Sequence, residues 1–379
     1  MIDRNYVEKN YKAVKKTLKT RGYDLRPDLV RMHREVKRLD REIQEVNRKI
    51  NTIGGNEELK ANLKKLKAEY TIAVQQCDDA WLKVPNLIHP TVPIGTDADQ
   101  NKELKRVGQA YANDLDYMTF GNTHGIDTNL GTTLTGPRFT VYKGDVATLH
   151  RKLLNAALDF YIETGYEYTY VPNLVNQACM TGTGQYPKFK EELYKTDDFY
   201  LIPTGEVPLT NLYRETTLTG TPDIKLVTNT PCFRREAGAA GRDTRGIIRQ
   251  HQFEKVELVR ICHPDLGNAC LTNMLETVCT FVDKLGITYR VVELCTGDIG
   301  FAGHKAYDVE VWFPGEERWR EIATITWCHD FQARRMKTFV RNKQTKQLVH
   351  TLNGTGLAVG RVMACMLETH GVEVFKMKI

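Results

Sequence analysis

The sequence predicts an α+β protein: an antiparallel two-helix coiled-coil arm, then a larger domain with an antiparallel sheet flanked by helices. Three observations lead there. Residues 28–53 place Leu29, Met32, Val36, Leu39, Ile43, Val46 and Ile50 at alternating steps of 3 and 4, a heptad seam. A second apolar stripe, Leu59, Leu63, Leu66, Tyr70, Ala73, Cys77, Trp81 and Val84, follows Gly54-Gly55-Asn56. From Gly136 onward, short β-rich runs alternate with a few longer helices, irregularly spaced and without βαβ repeats.

Each element follows in order. Asp28, after Pro27, is the expected N-cap of the first long helix. Gly54-Gly55-Asn56 breaks it. Two heptad helices joined by so short a turn must run antiparallel and pack on each other, as a hairpin roughly 38 Å long at 1.5 Å per residue. Its first helix mixes Arg31, Arg34, Lys37, Arg38, Arg41, Arg48 and Lys49 with Glu35, Asp40, Glu42 and Glu45. Two readings fit that face: a solvated coiled coil, or a basic surface that grips a nucleic-acid backbone. Pro85 ends the arm, and Pro90 and Pro93 keep the next segment extended. Residues 85–135, with few apolar runs, read as an irregular linker. The expected organisation is a first domain over 1–100, with the coiled coil at 28–84, and a second over 101–379. Strands are expected at 138–142, 168–171, 199–202, 289–293, 308–313 and 347–352, and a helix at 144–164.

Composition narrows the class. The chain has 379 residues, 41% hydrophobic and 26% charged, ordinary for a globular protein. No apolar run approaches the roughly 20 residues that span a bilayer, so no membrane partner is expected. The first residues lack an apolar signal core, and a cytoplasmic location is expected. Nine scattered cysteines without a C-x-x-C argue against a disulfide framework. A net charge of +6 is compatible with a polyanionic partner but does not demonstrate one.

Two segments carry chemistry. Phe233-Arg234-Arg235-Glu236, a loop, then Arg249-Gln250-His251-Gln252-Phe253 puts five arginines between 234 and 249. Guanidinium forks bind phosphate oxygens bidentately, so a polyphosphate is the natural ligand. Phe253 offers a flat face to a purine, and Glu236 an acceptor for its amine. The small-residue loop 237–243 can close over a ligand. The plainer reading is a solvated basic hairpin. Further on, Asn353-Gly354-Thr355-Gly356-Leu357-Ala358-Val359-Gly360-Arg361 runs into an apolar helix. A helix N-terminus with an arginine is an anion site, although packing glycines explain the same string. The spacing is neither the P-loop nor the dinucleotide fingerprint.

Together these residues resemble class II aminoacyl-tRNA synthetases. Phe-Arg-x-Glu, a loop, then Arg-x-x-x-Phe is similar to their motif 2, and the Gly-rich strand into Gly360-Arg361 to motif 3. The helix at 144–164 leading to Tyr170-Val171-Pro172 is similar to motif 1. Longer strings resemble the bacterial-type seryl-tRNA synthetases: Met180-Thr181-Gly182-Thr183-Gly184-Gln185, Ile202-Pro203-Thr204-Gly205-Glu206-Val207-Pro208-Leu209, Gln252-Phe253-Glu254-Lys255-Val256-Glu257, Cys295-Thr296-Gly297-Asp298-Ile299-Gly300-Phe301 and Asp330-Phe331-Gln332-Ala333-Arg334-Arg335. The likeness covers nearly the whole chain.

The resemblance implies an enzyme that activates serine with ATP and Mg²⁺ and loads it onto tRNA(Ser), as a homodimer built on motif 1. Arg234, Glu236 and Arg361 would be its catalytic residues. ATP would be bound by Arg234, Arg235, Glu236, Arg249, Gln250, Phe253, Glu321, Ile322, Ala323, Thr324 and Arg361, with Glu321 at the Mg²⁺. Serine would be bound by Thr204, Gly205, Glu206, Arg234, Glu257, Asn353 and Thr355. The sequence departs from the family at the amino-acid side: Thr-Ala-Glu is Thr204-Gly205-Glu206, Gly-Ser-Gly is Gly354-Thr355-Gly356, and Glu-Ile-Ser-Ser-Cys-Ser-Asn is Glu321-Ile322-Ala323-Thr324-Ile325-Thr326-Trp327. The methyl gained at Thr355 and the one lost at Gly205 are expected to compensate. Two other functions share these residues: a synthetase-derived paralogue without charging activity, and a ligase for a different small amino acid.

Overall fold

The computed structural model describes residues 1–54, 56–237, 246–343 and 345–378. The chain divides into two compact units, 1–87 and 88–379.

In the first unit, α1 (Arg4–Lys9) and α2 (Tyr11–Lys19) precede the hairpin of α3 (Pro27–Ile53) and α4 (Glu57–Trp81). The heptad stripes face each other: Leu29, Leu39, Val46, Cys77 and Trp81 are buried. Asn56 caps α4, its side chain accepting from Leu59 N at 2.8 Å. Asp28 is not the cap of α3. Pro27 takes the first helical position, where its fixed φ suits the helix, and Asp28 falls in the first turn. The base of the hairpin is tied to α1. Arg4 pairs with Asp78, Glu8 with Arg34 at 2.9 Å and Lys37 at 3.0 Å, and the Trp81 indole donates to Leu29 O at 3.1 Å.

The second unit is built on eight strands: β1 (Lys102–Val107), β2 (Glu167–Tyr168), β3 (Asp223–Phe233), β4 (Gln252–Cys262), β5 (Tyr289–Glu293), β6 (Lys305–Phe313), β7 (Arg318–His329) and β8 (His350–Ala358). Their order across the sheet is β1-β5-β6-β7-β8-β4-β3-β2, and all neighbours are antiparallel except β2 with β3. Three helices cover one face: α5 (Gly144–Glu163), α6 (Gly267–Lys284) and α7 (Val359–His370). Leu149, Leu153 and Tyr161 from α5, Met274 and Val278 from α6, and Val362 and Met366 from α7 share a core with Val256 and Leu258 of β4. Strand alternation then sends Phe253, Lys255 and Glu257 to the opposite face. Helix α5 lies so close to β8 that a β-carbon at Gly356 would stand 2.7 Å from the Tyr161 ring, and the Tyr161 hydroxyl donates to Gly356 O at 2.8 Å. Here glycine is a packing requirement.

The linker expected over 85–135 is not what forms. It contains β1 at a sheet edge and two short helices, Tyr117–His124 and Thr128–Leu134. Strand β1 reads Lys-Glu-Leu-Lys-Arg-Val with almost every side chain exposed, so no hydrophobic alternation betrays it. The expected strand at 138–142 shrinks to Val141–Tyr142, and the run at 347–352 spans the end of one strand, Lys346–Leu348, and the start of β8. The loop at 237–243 lies outside the described residues from 238 onward, as does Gly55 of the arm turn.

Candidate active site

The open face of the sheet holds two adjoining clefts. The first is lined by Arg234, Glu236, Ile248, Arg249, Gln250, Phe253, Glu321, Ile322 and Arg361, among others. Strands β3 and β4 pair in register, Phe233 opposite Gln252, so Arg234 leaves the end of β3 beside Phe253. Its guanidinium stands 5.2 Å from the Phe253 ring centroid, and its Nε donates to Pro203 O at 3.2 Å. Arg249 pairs with Glu236, whose backbone has φ 50°. Arg361, in the first turn of α7, donates to Glu321 O at 2.9 Å, Glu321 Oε2 at 3.0 Å and Ile248 O at 3.2 Å. Burial pushes the Glu321 carboxyl up, but Arg361, by charge and by hydrogen bond, more than offsets this and holds it below the usual range.

The second cleft is lined by Thr204, Glu206, Glu257, Thr326, Cys328, Asn353 and others, and it shares Arg234, Glu236, Arg249, Lys255, Glu321 and Thr355 with the first. Its centre is the Thr204 hydroxyl. That oxygen donates to Glu257 Oε2 at 3.0 Å and accepts from Lys255 Nζ at 2.9 Å and Glu206 N at 3.2 Å. Lys255 is ion-paired with Glu257. Glu206 is buried and accepts from Gln332 Nε2 at 2.6 Å, while Thr351 donates to Gln332 Oε1 at 2.7 Å. Burial first, then the nearby Glu257 charge, raises the Glu206 carboxyl to about 7.

Chemically, the first cleft offers guanidinium groups and an aromatic face. The second offers two carboxylates and several hydroxyls. Oxygen donors suited to a hard cation lie side by side on β6 and β7, with Glu321 lining both clefts. Thr324 Oγ1 contacts Glu321 Oε1 at 3.4 Å, and Asp308, opposite Thr324 on β6, keeps a buried Oδ1 with no hydrogen-bond partner among the described residues. No group of three His, Cys, Asp or Glu among the described residues forms a metal cage.

Known proteins bear directly on this geometry. Residues 188–370 match the family model of the tRNA synthetase class II core domain (G, H, P, S and T). The serine–tRNA ligase of Ralstonia pickettii (strain 12J) is 45% identical over 339 residues, covering 84% of this chain and 76% of that protein. That of Laribacter hongkongensis (strain HLHK9) is 42% identical, covering 94% and 85%. The chain belongs to the serine–tRNA ligase family. Solved structures agree with that membership. The seryl-tRNA synthetase of Pyrococcus horikoshii, complexed with ATP, superposes with a TM-score of 0.82 at 28% identity, covering 98% of this chain and 94% of that one. The cytoplasmic serine–tRNA ligase of Naegleria fowleri, in complex with AMP, gives 0.86 at 27% identity, covering 97% and 93%.

Within this serine–tRNA ligase fold, most of the expected site residues converge on the clefts, and three, Gly205, Arg235 and Ala323, do not line them. Arg235 turns its guanidinium toward the Tyr194 ring, 6.0 Å away, because successive residues of an extended chain point to opposite sides. Ala323 is buried in the helix-covered core, on the far side of β7 from the clefts. The structure adds Lys255, Gln332 and Thr351 to the site. Lys255 was legible, since it lies two residues from both Phe253 and Glu257 on one strand face. Gln332 and Thr351 come from a short helix and a distant strand, and no local pattern joins them. Gly205 and Thr355 are not immediate neighbours in the way their paired substitution suggests. The three atoms nearest a β-carbon at Gly205 belong to Thr228, Glu257 and Thr230.

Proposed function

We propose that this protein activates serine with ATP and transfers it to the 3′ end of tRNA(Ser). One observation carries the reading. A cleft rich in guanidinium groups and a cleft with two carboxylates share Arg234, so an amino-acid carboxylate and an α-phosphate would meet at one arginine. In the first step the serine carboxylate attacks the α-phosphorus in line, and pyrophosphate leaves with the electrons of the broken P–O bond. In the second, the tRNA ribose hydroxyl attacks the acyl carbon and AMP departs.

Phe253 would stack on adenine, with Glu236, backed by Arg249, accepting from its amino group. Arg361, held against Glu321, would clamp the terminal phosphate. Gln250, Ile322 and the main chain of Arg235 and Ala323 would complete the nucleotide site. Glu321, with Thr324, would hold a Mg²⁺ brought by ATP, which supplies charge neutralisation at the phosphates. Glu206 and Glu257 would read the ammonium and hydroxyl of serine, framed by Thr204, Gly205, Asn353 and Thr355. Positioning and preorganised charge would supply the catalysis, with no covalent enzyme intermediate.

The helical hairpin of the first unit would bind the tRNA, its arginines and lysines facing the backbone phosphates. A homodimer is supported by Ile162, Tyr168, Tyr170 and Leu174, apolar residues left exposed at and beyond the end of α5, Tyr170 at 83%. Sedimentation at micromolar concentration tests the dimer, and a fully active monomer overturns it. Pyrophosphate exchange across a panel of amino acids, followed by charging of serine tRNA, tests the activity. Serine should dominate both. Exchange with another amino acid alone, or none at all, would sink the reading.

A further inference from the structure

Gly205 sits between two pocket residues, Thr204 and Glu206. Its backbone, φ −61° and ψ −18°, is an ordinary right-handed conformation, so no dihedral demands glycine here. Space does. A β-carbon at 205 would lie 2.7 Å from Thr228 Cγ2, 3.1 Å from Glu257 Cβ and 3.4 Å from Thr230 Oγ1. Thr228 lies on β3 directly opposite Glu257 on β4. It is 1% exposed, and its Oγ1 has no hydrogen-bond partner among the described residues. A buried hydroxyl that bonds nothing is destabilising, so the hydroxyl does not explain the residue. Its γ-methyl does, because it fills the volume a side chain at 205 would need.

We propose that Thr228 is a specificity-determining positioning residue. Its methyl, seated beneath Gly205, fixes how closely the Thr204–Glu206 main chain approaches Glu257. The inference rests on the second cleft being the serine site. The geometry makes the coupling direct. Thr204 Oγ1 reaches Glu257 Oε2 at 3.0 Å from one side of Gly205, and Glu206 N reaches back to Thr204 Oγ1 at 3.2 Å from the other. A displacement at 205 therefore moves both groups that frame the substrate. One methylene in such a pocket shifts discrimination by about tenfold or more.

A mutant cycle in the full-length protein tests this, read by pyrophosphate exchange and by thermal unfolding. Gly205→Ala should raise the KM for serine about tenfold or more while leaving the KM for ATP within about twofold. Thr228→Ser removes the methyl and keeps the hydroxyl, so it should rescue Gly205→Ala. Thr228→Val keeps the methyl and drops the hydroxyl, so it should not. Should Gly205→Ala fail to fold, a folded Gly205→Ala/Thr228→Ser supports the pairing, and an unfolded double variant overturns it. Additive effects in the cycle overturn it too. Coupling in the melting temperature with serine KM unmoved, or equal losses for serine and ATP, overturns the role in specificity. A parent that exchanges no serine overturns the assignment of the cleft and this proposal with it. A parent that exchanges serine normally but shows no rescue overturns the proposal alone.

Discussion

Gln332 Nε2 donates a 2.6 Å hydrogen bond to Glu206 Oε1, and Glu206 sits beside the Glu257 carboxylate with its own pKa raised to about 7. A substrate ammonium binds the carboxylate form. Serine kcat/KM should therefore climb with pH, about tenfold per unit, and level off above about pH 7. Glu206→Gln should bind serine weakly and lose that limb. Stability should move the other way. The unfolded carboxyl titrates near its usual 4.5, so between there and about 7 the folded chain holds a proton that the unfolded one has lost. Stability is then greatest at the acid end of that window and falls as pH rises through it, by about 1.4 kcal/mol per unit per group at most. Glu368, also raised to about 7 by burial, adds to the same slope. Urea unfolding and exchange kinetics at pH 5.5 and 7.5 check both signs, and parallel trends would refute the assignment.

Arg361 is fixed by three hydrogen bonds to Glu321 and Ile248 before any ligand arrives. Arg361→Ala should lower serine-dependent exchange on the order of 100-fold or more, because a charge-assisted phosphate contact is lost in a preorganised site. A near-parental exchange rate would place the terminal phosphate elsewhere.

Lys255 is buried between Glu257 and Thr204. Lys255→Met leaves Glu257 without its cation and Glu206 beside a like charge that is no longer offset. Breaking a buried pair from one side costs about 3–5 kcal/mol, so the chemical-denaturation midpoint should drop sharply. Lys255→Met/Glu257→Gln should recover much of the stability and none of the serine binding. An unchanged midpoint in the single variant would mean the pair is wetter than its burial implies.

The arm can be shortened without disturbing its base. Asp78, Trp81, Arg34 and Lys37 anchor the hairpin to α1 and to Leu29, so deleting 42–68 with a short glycine turn spares those ties. Serine-dependent exchange should stay within about twofold, while charging of tRNA falls steeply, since phosphate contacts supply much of nucleic-acid affinity. Charging with unchanged tRNA affinity would assign the arm another task.

The parts legible in the sequence were those written in a period or a dense local string. The heptads gave both long helices, and a β-rich run gave β5 to the residue. The arginine-rich hairpin around Phe253 and the Gly-rich run into Arg361 located the first cleft. What escaped was short or charged. Helices α1 and α2 are six and nine residues long, although α2 buries Val14 and Leu18 at a helical spacing, and the charged strand β1 shows no alternation. The Thr204, Glu206, Gln332 and Thr351 network draws on distant segments, and Gln332 also donates to Thr183 O, 149 positions away in the chain. The space beneath Gly205 depends on Thr228, a β3 residue that no spacing ties to it.

Strand β1 has a further consequence. An open sheet exposes unpaired amides at its two outer strands, and these recruit stray chains into aggregates. Here one margin is β1, studded with Lys102, Glu103, Lys105 and Arg106, and Glu103 is engaged by Arg106 at 2.7 Å and Arg290 at 3.3 Å. The other margin, β2, is only two residues long. Neither offers a foreign strand an apolar run to zip against. The charges that hid β1 from hydrophobic periodicity are the ones that guard the protein against self-association at that margin.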